Sequence, residues 1–168
     1  KSFIGPIRGD VPAPIQIVNG KSYTSIEAAC AEVSEIGGTK IIELRYDGLR
    51  EPEPPIRLVN KRVIIRAADG YRPTVRFSPE ASLDRNRPQM IAIAGGSLEL
   101  INVDIAMTVP NRGGSDRWAM FSLERPEKVL LKCVTLTVVN PSNRPACVFE
   151  QRALDGSLTP VRPETGPG

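Results

Sequence analysis

Glu124 and Glu150 each close a short apolar run, directly after Leu123 and Phe149. Ile93, Leu123 and Phe149 recur at steps of 30 and 26 residues. If these runs are strands stacked one above another, the two carboxylates sit one strand spacing apart, about 5 Å. That is close to the separation of the two carboxyl groups in a retaining glycosidase. Two stacked carboxylates also suit Ca²⁺. The plainer alternative is that Arg125, Gln151 and Arg152 neutralise them as ion pairs at a rim, an arrangement common on protein surfaces. The preceding run carries Ala94 at the matching position. A lyase would need a further acid there, so its absence tells against catalysis.

A second group lies on the same predicted strand. Alternation that points Phe121 and Leu123 inward points Trp118, Met120 and Ser122 outward, beside Arg117. Met90, Ala92 and Val148 are then their outward neighbours. An apolar outer face with a Trp can stack on a sugar ring or seat a protein partner. The alternative is that the loop 106–117 folds over this face and buries it. The Asn111–Arg117 segment is Gly-rich with two arginines, but it lacks the lysine and following helix of a phosphate loop. The chain has no histidine, which removes the commonest general base and zinc ligand. The Gly-rich, HRD and DFG motifs of protein kinases are absent. The residues therefore imply no metal site and no cofactor.

The elements that must hold these groups are almost all strands. Residues 41–45, 56–59, 62–66 and 74–77 form a first set, 90–94, 98–101 and 103–107 a second, and 119–123, 129–132 and 134–139 a third. The run 146–150 is the last. Apolar residues alternate within each, and LELINVDI at 98–105 aligns with VLLKCVTL at 129–136, with Leu100 and Leu131 a step of 31 apart. A repeat of this length made only of strands predicts a solenoid of stacked parallel strands. A β-sandwich is the antiparallel alternative, but the corners lack its two-residue hairpin signals. Residues 23–36 form the one helix, with Thr24 and Glu27 at capping-box spacing and Gly37-Gly38 ending it. Its single apolar stripe suits it to cover the first open end of the stack. Asn102 and Asn140 read as turn residues. Residues 1–22 are an extended lead-in with one edge strand, and 152–168 a Pro- and Gly-rich tail or linker.

At 168 residues the chain is one domain with room for a real core. Its net charge of +3 comes from 22 basic and 19 acidic residues that intermingle, so nucleic-acid binding is not expected. No apolar run is long enough to insert in a membrane. Three cysteines, Cys30, Cys133 and Cys147, are odd in number and lie in apolar contexts, as buried free thiols do. They lean toward a reducing compartment without fixing the localisation. The chain opens at Lys1 without a Met, which suggests a mature form or a piece of a longer protein.

Gly37-Gly38-Thr39, Gly48-Leu49-Arg50-Glu51, Ile56-Arg57-Leu58 and Lys61-Arg62-Val63-Ile64-Ile65-Arg66 follow in order after the helix. This succession resembles the opening of right-handed parallel β-helix proteins of the pectin-lyase type, with Pro54-Pro55 lengthening one link. The phrase VIIRAADGYRPTVRF also resembles β-helix segments of large planctomycete-type bacterial proteins, some related to serine/threonine protein kinases. The resemblance covers roughly residues 20–151. It implies an all-β fold: a short right-handed parallel β-helix of three to four coils, capped by helix 23–36. This scaffold carries enzymes and non-catalytic modules alike. The expected function is a non-catalytic binding or sensing module of a larger multidomain protein, with a carbohydrate or protein ligand held by Arg117, Trp118, Met120 and Ser122. One rival is a polysaccharide lyase or glycoside hydrolase using Glu124 and Glu150. Another is a structural module that self-associates end to end through an uncapped C-terminal end.

Overall fold

The computed structural model describes residues 14–17, 20–35, 37–78, 88–111, 117–152 and 158–159. Strands dominate. Twelve of them form three parallel sheets that the chain visits in rotation, each strand pairing with the one three places on. β3 (Lys40–Leu44), β6 (Arg62–Ala67), β9 (Ser97–Ile101) and β12 (Lys128–Lys132) make the first sheet. β4 (Gly48–Leu49), β7 (Pro73–Phe77), β10 (Asp104–Thr108) and β13 (Leu136–Val139) make the second. β5 (Ile56–Val59), β8 (Gln89–Ala94), β11 (Trp118–Glu124) and β14 (Ala146–Arg152) make the third. Residues 98–105 run parallel to 129–136, as their matching patterns predict: Leu98 faces Val129, Leu100 faces Leu131 and Ile105 faces Leu136.

The alternation in each strand sends one row of side chains into a common interior. Val63, Ile65, Leu98 and Leu100 come from the first sheet, Val75, Phe77, Ile105 and Met107 from the second, and Leu58, Ile91, Ile93 and Phe121 from the third. All are at most 3% exposed and belong to one core. Burying each such side chain contributes about 1.5–3 kcal/mol.

The corners need backbone that few residues adopt. Asn60, Asn102, Arg125 and Cys133 all have positive φ, as do Gly95 and Gly96. Such turns carry the chain from one sheet to the next within one or two residues, and three of them place an amide against the next level down. Asn60 N donates to Ala94 O at 2.8 Å, Gly95 N to Glu124 O at 3.0 Å, and Asn102 N to Lys132 O at 3.0 Å. The corners are thereby stacked as firmly as the strands. Asn102 is the turn residue its type predicts. Asn140 closes its own loop, taking the amide of Arg144 at 3.2 Å and donating Nδ2 to the Arg144 carbonyl at 2.7 Å.

Among the described residues, antiparallel pairing occurs only at the two ends of the stack. β1 (Ile15–Ile17) lies against β3, and β2 (Ser22–Tyr23) against β1. At the other end β15 (Leu158–Thr159) lies against Gln151 and Arg152. The segment read as a plain tail thus returns a strand to the third sheet. Of the lead-in, residues 1–13 lie outside the described residues.

The helix is shorter than its sequence pattern. α1 spans Ile26–Ala31, not 23–36, and Ile36 lies outside the described residues. The N-cap is Ser25 rather than Thr24, its hydroxyl accepting the Ala28 amide at 3.1 Å. A second acceptor comes from 27 residues away: the Glu53 carboxylate takes the Ile26 amide at 2.8 Å. Lys61 donates to the Cys30 and Ala31 carbonyls at the other end, at 2.9 and 3.1 Å. Both helix ends are thus satisfied by the sheets beneath. Ile26, Ala29, Cys30 and Val33 press down onto the core.

Candidate functional site

The outer face of the third sheet can be read column by column from its register. One column runs Arg57, Ala92, Ser122, Glu150. The next runs Val59, Ala94, Glu124. Leu123 faces Gln151, which brings Arg152 beside Glu124. Small residues in the middle (Ala92, Ala94 and Ser122), with Arg57 on one side and Glu124 and Arg152 on the other, leave a hollow. It is a cavity of about 160 Å³, lined by Arg57, Gln89, Ala92, Ser122, Glu124 and Arg152.

This register corrects the predicted carboxylate pair. Ile93 faces Leu123 as expected, and Glu124 faces Ala94. Phe149, however, faces Phe121, not Leu123, and Glu150 faces Ser122, not Glu124. The cause is aromatic packing. The Phe121 and Phe149 rings stack with centroids 5.0 Å apart and planes 20° apart, and β14 continues to Arg152 instead of stopping at Glu150. The two glutamates are offset by two residues, roughly 7 Å along the strand. The Glu150 side chain is 4% exposed, and Arg152 Nε donates to its Oε1 at 3.1 Å. It lies beneath the surface with a cation, and Glu124 alone of the two borders the hollow.

The predicted ligand face is also placed differently. Trp118 is 1% exposed, Met120 0%, Met90 0% and Ser122 5%. Trp118, Met120 and Met90 belong to the core cluster, and the Trp118 indole Nε1 has no hydrogen-bond partner among the described residues. They are buried, and no ring face of Trp118 is open for stacking. Ser122 keeps a place at the floor of the hollow. Arg117 is exposed and reaches Cys147 Sγ at 3.9 Å. Of the Asn111–Arg117 loop, residues 112–116 lie outside the described residues.

Of the two arginines at the rims, Arg152 makes with Glu150 the kind of ion pair that the plainer alternative named, whereas Arg57 has no part in any predicted site. Arg57 stands in a strand whose alternation marks it outward, at the end of a column that continues in Ala92 and Ser122, whereas Arg152 lies past the apolar run that marked β14. Among the described residues no three Cys, Asp or Glu side chains come together as metal ligands. Nor is any described helix long and apolar enough to cross a membrane.

The three cysteines differ in setting. Cys30 is buried on the inward face of α1, and burial pushes its thiol up to about 12. Cys147 is half-buried, and Cys133 is exposed at its corner, contrary to the buried setting its neighbours suggest. No family model matches this chain, and no curated protein or solved structure matches it either.

Proposed function

We propose that this chain is a right-handed parallel β-helix of the pectin-lyase-like kind, serving as a non-catalytic binding module of a larger multidomain bacterial protein. Its ligand is a carbohydrate, taken up by the hollow on the third sheet. The parallel register, the three-sheet rotation and the helix over the N-terminal end support the fold reading. The larger bacterial parent protein, with a kinase-associated setting, follows from the sequence resemblance.

The hollow carries the functional reading. Its walls combine guanidinium donors (Arg57, Arg152), a carboxylate acceptor (Glu124), an amide (Gln89) and a hydroxyl (Ser122) over a floor of alanine. Such a mixture suits a ring bearing several hydroxyls, since every hydroxyl both donates and accepts. A volume of 160 Å³ has room for about one sugar ring and is smaller than a typical drug-sized pocket. The register disfavours hydrolysis, because only one carboxylate faces the hollow.

Glycan-array binding followed by calorimetry tests this. The parent chain should retain a subset of neutral or acidic oligosaccharides, and Arg57→Ala and Glu124→Gln should each weaken binding about tenfold, as loss of a charged hydrogen bond does. Absence of any retained glycan refutes the proposal. Product release by the parent chain that Glu124→Gln abolishes makes it an enzyme instead.

A further inference from the structure

The two ends of the stack are finished differently. Over the first, α1 and the β1–β2 ribbon cover both core and strand edge. At the second, among the described residues, β15 covers only part of β14, while β12 and β13 are the last strands of their sheets. The final apolar layer, Val129, Leu131, Val134, Leu136 and Val138, is half-buried where the layer above is sealed, and Phe149 is 41% exposed. An edge of this kind is a template for another strand.

Charge on the first sheet indicates which strand. Its cations meet carboxylates on other levels: Arg66 and Glu43 at 2.6 Å and Lys128 and Glu99 at 2.7 Å across one level, and Arg62 and Glu127 at 2.9 Å across two. The outermost column runs Glu43, Arg66, Ile101, Lys132. Lys132 is exposed and has no ion pair among the described residues; the level above offers it only Ile101. β12 therefore presents an apolar centre, Val129-Leu130-Leu131, between two exposed ammonium groups, Lys128 and Lys132. A strand set against it continues the alternation of charge if it carries acids at both ends and aliphatic residues between.

The same lysines disfavour a second copy on this edge. Antiparallel pairing of two β12 strands about Leu130 sets Lys128 of one copy opposite Lys132 of the other, which repels. We infer that the β12 edge is a docking site for an extended segment of another protein, with a carboxylate at each end of a three-residue aliphatic stretch. This site is separate from the hollow on the third sheet and does not depend on a sugar binding there.

Two synthetic peptides test it, capped Ser-Glu-Val-Leu-Val-Glu-Ser and its Lys-for-Glu counterpart, titrated to millimolar concentration at low salt. The acidic peptide should bind about ten times more tightly, from two favourable cross-strand charge pairs in place of two unfavourable ones. It should slow amide exchange of residues 128–132. Lys132→Glu, at an exposed position, should remove most of the preference. Three results each overturn the inference: equal binding of both peptides, no binding of the acidic one, or protection elsewhere than β12. Concentration-dependent protection of β12 without peptide makes a second copy the occupant and overturns it too.

Discussion

Cys133 holds φ at 53°, in the left-handed region where a side chain with a Cβ is strained. Asn102, one level up, occupies the equivalent corner at φ 56° with the residue type that tolerates it best after glycine. Cys133 is exposed and touches no partner that constrains its choice. Cys133→Asn should therefore stabilise the protein by about 0.5–1 kcal/mol, read as a shift in the urea midpoint at unchanged slope. Gly96 marks the opposite case. Its φ is 64°, and a Cβ there overlaps the backbone carbonyl and nitrogen of Lys61. That contact is built in, because Ser97 N donates to Lys61 O at 2.8 Å and Glu127 N to Gly96 O at 2.7 Å. Gly96→Ala should cost at least about 2 kcal/mol, combining strain with a displaced ladder. The thiols supply a parallel check: a thiol reagent should modify Cys133 at once, and Cys30, held near 12 by burial, only when α1 comes away.

At the scale of elements, α1 is too short to persist alone, since isolated helices of this length do not form in water. It is held by Ser25, by Glu53 from the β4–β5 connection and by Lys61 from the β5–β6 corner. Glu53 is 7% exposed, and burial raises its carboxyl above the ordinary range, against the opposing pull of the Ile26 amide and the Arg50 guanidinium. A raised glutamate means that folding is opposed while the group is charged. That penalty is full above the folded pKa and fades as pH falls toward the unfolded value near 4.3. Glu53→Gln keeps an acceptor for Ile26 without the charge, so wild type should gain relative to it between pH 7 and pH 4.5. Glu53→Ala also leaves the amide without an acceptor, so it should lie about 1–3 kcal/mol below Glu53→Gln at every pH. Glu43 runs the other way. Arg66 and Arg45 hold its carboxyl below the ordinary range, so its contribution is present above about pH 4.3 and is lost on further acidification. Urea unfolding of the three proteins across pH 3–8 separates these effects.

Strand identity was legible at this same scale because alternation and stacking share a period: one wrong residue would turn a whole row outward. The 98–105 and 129–136 pairing followed from that alone. The end of β14 was not legible, because Gln151 and Arg152 are polar and end the apolar run while the ladder continues beneath them. Nor was the state of Trp118, since alternation tells which way a side chain points but not what lies over it. The helix showed the reverse error: its apolar period outlasts the helix itself, as Val33 packs on the core two residues beyond Ala31.

For the molecule as a whole, stability should fall toward the open end. In a stack each level contacts only its neighbours, so a level's contribution depends on whether it is covered on both sides. One column of the first sheet isolates this effect, because Ile65, Leu100 and Leu131 occupy the same inward position on successive levels. Leu100 is 0% exposed between two neighbours, whereas Leu131 has a neighbour on one side only and is half-buried. Leu100→Ala removes contacts above and below and leaves a void the rigid ladders cannot close, at about 3–4 kcal/mol. Leu131→Ala loses one side's contacts and leaves a dent open to water, at about half that or less. Denaturant unfolding of the two variants gives the ratio directly. Equal losses require the last level to be as well covered as the interior, which the half-exposed row from Val129 to Val138 contradicts. In wild type, amides of β12 and β13 should likewise exchange well ahead of those of β6 and β9, as the opening end of the stack admits water one level at a time.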